Sequence, residues 1–385
     1  MTFRILELLA IAGCLSSCIY YLICIFSAAA FLRELRAGAH PTDDRPPVSI
    51  LKPLKGADRE MYESFRSHCL QDYPQYEIIF GVSEPDDPAI NFVQQLQSEF
   101  PDRMIRIVVC PKKLGPNVKI SNLLQMLETA RYEHLLVNDS DIRVAPDYLR
   151  RVMAPLADDR VGMVTCLYRG VAAPTLGSRL ESIGISTDFI PGVLVARRLE
   201  SGLHFGLGST MVFRRTDLAR IGGFQSIVDS LADDYELGRR IADLGLRVQL
   251  SDVVVETHLP AYDLRGFLAH QLRWARGVRD ARVGGYVGLV TTFGLMWGIL
   301  TVIFAQAAPW SWAVLGFTAL MRLAVAITVG GFVLRDRALS GNLWLLPLRD
   351  LIAVGVWVAS FFGHTVTWRG DRFELKNGRL VRSED

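Results

Sequence analysis

Two pairs of aspartates in this chain stand where chemistry could be done. In HLLVNDSDIRV (134–144) the apolar run Leu135-Leu136-Val137 stops at Asn138, and Asp139 and Asp141 follow with Ser140 between them. Two carboxylates leaving a buried strand side by side repel one another. A divalent cation removes that repulsion, and hard oxygen ligands suit Mg2+ or Mn2+, which keep remaining positions for substrate phosphates. One reading is therefore a metal–diphosphate site. The other is a turn begun by Asp139 and a helix capped by Asp141. In LADDYELGRRIADLG (231–245), Asp233 and Asp234 stand at the start of a segment with Leu237, Ile241 and Leu244 on one helical face. They cap that helix, or one of them is a general base held at a rigid helix entrance. In HQLRWARG (270–277), Arg273 precedes Trp274. Such a pair anchors an interfacial helix, or sets Arg273 against a developing diphosphate charge with Trp274 walling a sugar or lipid. The last two roles are compatible.

The elements that must position these residues follow from composition. The chain has 385 residues, 50% of them hydrophobic, and a mean hydropathy of +0.24, which points to membrane segments. Residues 8–32 carry no charge, and 283–309 and 310–334 form two more apolar runs, the second containing Arg322. A shorter fourth covers 351–367, within a stretch (343–367) that includes Arg349 and Asp350. A bilayer core needs about 20 apolar residues per helix, so the first three are expected spans and the fourth a marginal, re-entrant or interfacial one. The first run exceeds the roughly 7–15 residues of a secretory signal core, and residues 1–35 are expected to form a retained anchor. Arg33, Arg36, Arg45, Lys52 and Lys55 follow it, which places the N-terminus outside and the next domain in the cytoplasm. A net charge of +2 gives no case for nucleic acid. The six cysteines show no metal-ligand spacing.

The polar middle, 46–262, alternates strand-like runs (48–54, 76–83, 104–110, 134–138, 161–169) with helical patterns (58–71, 88–99, 119–131). That order predicts an α/β domain with a mostly parallel sheet, behind a Pro-rich linker at 39–47. Ligands of open α/β sheets bind beyond the carboxyl ends of strands, where Asp139 and Asp141 fall. Around 263–282 an interfacial helix is expected, then membrane segments over 283–367 and a basic tail over 368–385. Lesser candidates are Lys119, with Asn117 and Asn122 at a helix start where anions bind, and His258 as a third metal ligand or a satisfied polar residue. The glycines of GLGSTMVFRR (206–215) allow close backbone approach.

The ordered set SEPDDPA (83–89), NDSD (138–141), DDYELGRR (233–240) and HQLRW (270–274), behind one N-terminal anchor and VSILKPLKGAD (48–58), resembles the ceramide glucosyltransferases. More widely it is similar to the membrane-bound inverting GT-A glycosyltransferases, and HQLRWAR is most like bacterial hopanoid-biosynthesis-associated members. The resemblance covers about residues 1–375. It implies a GT-A (Rossmann-like) fold, a UDP-sugar donor and a metal, Mg2+ or Mn2+, on Asp139 and Asp141. The family's acidic residue near uracil and ribose falls on Glu84, with Asp86 and Asp87 beside it. Its general base falls on Asp234, with Asp233 as neighbour. Its closing motif, Gln or Arg followed two residues later by Arg-Trp, falls on His270, Gln271, Arg273 and Trp274, with His270 in the first place. The tail at 368–380 resembles the family's C-terminal segment near the donor.

The implied reaction is transfer of one sugar, glucose or N-acetylglucosamine, to a lipid hydroxyl on ceramide or a hopanoid, with inversion. The implied setting is a bacterial cytoplasmic membrane, multi-pass, with the catalytic domain facing the cytoplasm. The segment 181–197 is apolar enough to line an acceptor entrance or to be core. The rivals are a processive polysaccharide synthase and a non-catalytic sugar-nucleotide sensor or transporter. An N-terminus outside and a basic tail inside require an odd number of crossings, against four apolar runs.

Overall fold

The computed structural model describes residues 2–37, 44–58, 60–368, 371–376 and 378–382. Part of the linker at 39–47 and Arg369 of the tail lie outside the described residues. The chain divides into a helical unit (1–37, 169–198 and 261–378) and a sheet unit (38–168, 199–260 and 379–385). The stretch 169–198, inside the 46–262 span expected as one domain, belongs to the helical unit.

The strands of the sheet unit are β1 (Val48–Leu54), β2 (Tyr76–Val82), β3 (Met104–Val109), β4 (His134–Val137), β5 (Ile142–Arg143), β6 (Val161–Val171), β7 (Met211–Arg214) and β8 (Arg247–His258). Their order in the sheet is β3-β2-β1-β4-β7-β6-β8-β5. β3, β2, β1 and β4 run parallel, joined by the helices Met61–Cys69, Ala89–Glu99 and Val118–Leu127. The expected strands and helices of residues 48–138 are all present. β7 is antiparallel to β4 and β6, and β5 to β8, so the parallel half continues into an antiparallel one. Every residue of β1 and β2 is buried, as continuous apolar strands covered on both faces require. From β1 the chain winds outward to β2 and β3, then returns to β4 on β1's other side. That reversal makes the carboxyl ends of β1 and β4 a topological switch point, the place where such sheets open a crevice.

In the helical unit, Thr2–Ala37 is one helix. Helix Gly294–Phe304 packs antiparallel to it: Tyr21 donates to the Thr292 carbonyl at 3.1 Å, while Cys14 Sγ and Thr301 Oγ1 lie 3.5 Å apart. The segment Pro309–Val333 runs parallel to the first helix, with Cys18 Sγ and Thr318 Oγ1 3.8 Å apart. Among the described residues, three helices are long and apolar enough to span a membrane: Phe3–Ala37, Pro309–Val333 and Leu339–Ser360. A fourth apolar stretch is broken, Val283–Thr292 meeting Gly294–Phe304 at 53°. The expected span at 283–309 is therefore the bent one, and of the run read as marginal (351–367) residues 351–360 end a 22-residue helix while Thr365–Trp368 is a strand. The amphipathic helix Leu264–Ala281 lies along Leu346–Ser360, its Gln271 accepting from Arg349 at 2.9 Å and its Arg279 donating to the Ser360 carbonyl.

Candidate active site

At the switch point, the loop leaving β4 places Asn138, Asp139 and Asp141 in succession. The Asp139 amide donates to the Gly208 carbonyl at 3.2 Å, and His258 donates through its amide to the Asp141 carbonyl at 3.0 Å. The loop is thus held between two other segments. Asp139 Oδ1 lies 2.9 Å from the Lys119 ammonium, which also lies 2.9 Å from Asp233 Oδ2. Asp141 Oδ2 accepts from the Thr257 hydroxyl at 2.5 Å. Asp234 Oδ2 accepts from the Gly208 amide and Oδ1 from the Tyr235 amide, both at 2.8 Å. Gly208 is required here: a Cβ would stand 2.9 Å from Asp139 Oδ2 and 3.3 Å from Asp234 Oδ2. The structure therefore gathers Lys119, Asp139, Asp233 and Asp234 around one glycine, with Asp141 beside them.

Lys119 sits in the first turn of Val118–Leu127, capped by Asn117, whose side chain accepts from the Ile120 amide. Burial lowers a lysine pKa, but Asp139, Asp233 and Asp234 outweigh it and raise this one. Asp141 is raised by burial and then by the charge of Asp139. Asp234 is raised to about 6, again by burial first and by Asp233 second. Asp233 is the more buried of its pair and lies against Lys119. Asp234 keeps a pKa near neutrality, where a carboxylate base works best.

Beneath the loop is a network that the sequence reading did not single out. Lys52, fully buried on β1, donates to Asn138 Oδ1 at 2.7 Å and to the Asp139 carbonyl at 3.1 Å. Burial lowers its pKa to about 7 against the opposing pull of Asp141 and Asp139. Asn138 Nδ2 in turn meets His68 Nε2 at 2.8 Å, and His68 Nδ1 faces the Ser64 carbonyl at 2.9 Å. A carbonyl only accepts, so Nδ1 carries the proton and Nε2 accepts from Asn138. That neutral imidazole agrees with burial holding the His68 pKa well below its ordinary value. The signal was present: a lysine inside an apolar strand, VSILKPL, needs partners to be buried at all.

Other expected residues are placed differently. Glu84 is exposed on the loop after β2. Asp87 accepts from the Gly56 and Ala89 amides at 2.9 Å each, so it ties two backbone segments together. His258 faces Glu256 at 3.6 Å and Glu60 at 3.9 Å, and among the described residues no three His, Cys, Asp or Glu side chains are grouped to hold a metal. The third-ligand reading of His258 is thus not assembled. His270, Gln271, Arg273 and Trp274 belong to the helical unit. There His270 Nδ1 lies 3.2 Å from the buried Glu181, and Gln271 donates to Glu181 at 2.9 Å. Trp274 sets its ring 5.7 Å from Phe189 and 5.5 Å from His270.

The residues fit a hard divalent cation. Asp139 and Asp141 are oxygen donors two residues apart, and an ammonium already occupies the space between Asp139 and Asp233. Two protein carboxylates leave further positions for water and phosphate, as Mg2+ and Mn2+ sites with nucleotides usually do.

Comparison with known proteins shows the family and the fold. A family model described as glycosyl transferase family 21 matches residues 9–381. Ceramide glucosyltransferase 1 of Caenorhabditis elegans is 23% identical over 98% of this chain and 82% of its own length. Ceramide glucosyltransferase 3 of the same organism is 24% identical over 97% and 82%. Among solved structures, the mannosyltransferase PcManGT of Pyrobaculum calidifontis, in complex with GDP-Man and Mn2+, superposes with a TM-score of 0.56. It is 22% identical, over 93% of this chain and 99% of that one, and shows a shared GT-A-like fold.

Proposed function

The chain belongs to glycosyl transferase family 21, and from that premise we propose that it moves one sugar from a UDP-sugar to a lipid hydroxyl with inversion. The carrying observation is the cluster at the switch point: four carboxylates, Asp139, Asp141, Asp233 and Asp234, against the ammonium groups of Lys52 and Lys119. That excess of acid suits a cation and a base together. Asp139 and Asp141 would hold Mg2+ or Mn2+; when bound, the ion neutralises charge on a departing diphosphate. The family's ceramide glucosyltransferases and the Mn2+ and GDP-Man of PcManGT support a nucleotide-sugar donor and a divalent ion.

Asp234 takes the proton from the acceptor hydroxyl. The hydroxyl oxygen bonds to the anomeric carbon as the bond from that carbon to the diphosphate oxygen breaks. No enzyme nucleophile enters this scheme, so configuration inverts. Lys119 keeps Asp233 from acting as the base and holds Asp139 in place. Lys52, through Asn138 and the Asp139 carbonyl, fixes the loop from below. Arg273, Trp274, His270, Gln271 and Glu84 retain their expected roles as part of the proposal. The expected acceptor is ceramide or a hopanoid, and the expected sugar glucose or N-acetylglucosamine.

We further propose three membrane crossings. The first helix, the bent pair 283–304 and the segment 309–333 run up, down and up, while 339–360 follows the amphipathic helix 264–281 along the cytoplasmic face. Three crossings satisfy the odd count, with the sheet unit and tail in the cytoplasm of a bacterium.

The test is a set of nucleotide sugars (UDP-glucose, UDP-N-acetylglucosamine, GDP-mannose) crossed with ceramide, hopanoid and diacylglycerol acceptors. Products are read by mass spectrometry with Mg2+, with Mn2+ and with EDTA. A lipid carrying one sugar, absent with EDTA, is expected. UDP binding that EDTA and a double Asp139→Ala, Asp141→Ala change leave untouched would sink the reading. A product of many sugars would instead make the protein a polysaccharide synthase.

A further inference from the structure

At the C-terminal ends of the first helix and of Pro309–Val333, which run parallel, lies a cavity of about 420 Å3 lined by Leu32, Leu35, Arg36, Gly331, Phe332 and Arg335. Three of those side chains are apolar and two are guanidinium groups. The acids nearest in sequence are already engaged. Glu34 binds Arg197 at 2.5 Å, and Asp336 accepts from Ser186 at 2.8 Å and from the Ala338 amide at 3.0 Å. Among the described residues, neither Arg36 nor Arg335 has a carboxylate or hydrogen-bond partner. Two cations thus flank an apolar cleft, and among the described residues no acid neutralises them.

A second observation concerns the backbone. Arg335 has φ of 52°, the left-handed conformation that ends helices and is usually given to glycine. It follows the π-helical turn Ile327–Val333, and the Asp336 amide closes the helix end onto the Gly330 carbonyl at 2.9 Å. A long cationic side chain stands at a position whose geometry favours none, and such strain marks places where a side chain serves another purpose. Gly331, meanwhile, leaves the cleft wall bare: a Cβ there would meet only Ile327, at 3.9 Å.

We infer that this cleft is a binding site for an anionic phospholipid, its phosphate between Arg36 and Arg335 and an acyl chain against Leu32, Leu35 and Phe332. The apolar helices make the membrane the source of the ligand, and basic pockets between membrane helices bind such headgroups. The site is independent of sugar transfer.

The test uses the full chain reconstituted in phosphatidylcholine nanodiscs with a minor fraction of phosphatidylglycerol. Lipid retained after extraction is counted by native mass spectrometry. Wild type is expected to retain phosphatidylglycerol in preference to phosphatidylcholine. Arg36→Gln with Arg335→Gly should lower that retention about tenfold without lowering Tm, because glycine relieves the strained backbone. Gly331→Leu, which fills the cleft and leaves both charges, should lower it as well. Millimolar inorganic phosphate should not displace the lipid. Equal retention of both lipids, retention unchanged in the variants, or displacement by phosphate would each overturn the inference. Arg36→Gln alone, at an exposed helix end, separates loss of binding from any loss of folding.

Discussion

In the sheet unit, among the described residues, Asp139, Asp141, Asp233 and Asp234 gather around two lysines, Lys119 paired with Asp139 and Asp233 and Lys52 beneath the loop, whereas in the helical unit Arg322 is matched by Asp350. Arg322 Nε and Nη2 donate to the two Asp350 oxygens at 2.9 and 2.7 Å, and Nη1 donates to the Thr187 carbonyl at 2.7 Å. The second arrangement is neutral and nearly saturated with hydrogen bonds. The first carries two more acids than bases, and such an excess at a sheet's switch point marks a candidate site. Charge balance therefore separates a candidate site from a brace, although both contain a largely buried ion pair, Lys119–Asp233 in one and Arg322–Asp350 in the other.

The largest effect that sharpens this contrast is expected at Asp234. Asp234→Asn keeps an acceptor for the Gly208 amide and removes the proposed base, so transfer should slow by ~10²–10⁴-fold. Thermal stability should hold, because burying a carboxylate is unfavourable to begin with. A variant that transfers as fast as wild type, measured by lipid product per unit time, would move the base elsewhere.

Arg322 is expected to behave in the opposite way. Arg322→Ala strands Asp350 among apolar helices and should cost ~3–5 kcal/mol of stability, seen as a lower unfolding midpoint in detergent titration. Replacing both partners, Arg322→Met with Asp350→Leu, should recover most of it, since an apolar pair of similar volume is often as stable as a buried ion pair. If the double variant is as damaged as the single one, the pair does more than brace helices. The comparison would then have to be redrawn, with Thr187 and Asp188 beside it as the first places to look.

Much of the sheet was legible because β1 to β4 are short apolar runs separated by amphipathic helices. β7 and β8 were harder. MVFR is four residues long and continues directly into RTDLAR, while β8 begins with the mixed run RVQLSD. The stretch 169–198 was read with the sheet because it lies between sheet segments in sequence; only three-dimensional contacts assign it to the helices. Asp139, Asp141 and the acidic pair at 233–234 were legible from position alone. The resemblance put the base on Asp234 with Asp233 as neighbour, but the ion pair that sets the two apart, Lys119 with Asp233, joins residues 114 apart in sequence and could not be read from adjacent aspartates. His68 was invisible for a similar reason: nothing around it announces that Asn138 lies 2.8 Å from its ring.

The smallest expected effect is a pH dependence, and it runs in two directions. Asp234 has a pKa raised to about 6, by burial first and Asp233 second. A base works only when deprotonated, so kcat/KM should fall about tenfold per pH unit below about 6. Folding is linked to the same proton with the opposite sign. The folded state holds it more tightly than an unfolded aspartate of pKa about 3.9, so the group's contribution to stability is fully present below that value and is lost as pH rises through about 6. Between those limits, activity should climb with pH while this part of the stability declines. Asp234→Asn removes both limbs. The Arg322→Met, Asp350→Leu double variant should keep both, because its changes lie in the helical unit. An acid limb that persists in the residual activity of Asp234→Asn would belong to another carboxyl of the cluster, with Asp141, itself raised by burial and by Asp139, the first to examine.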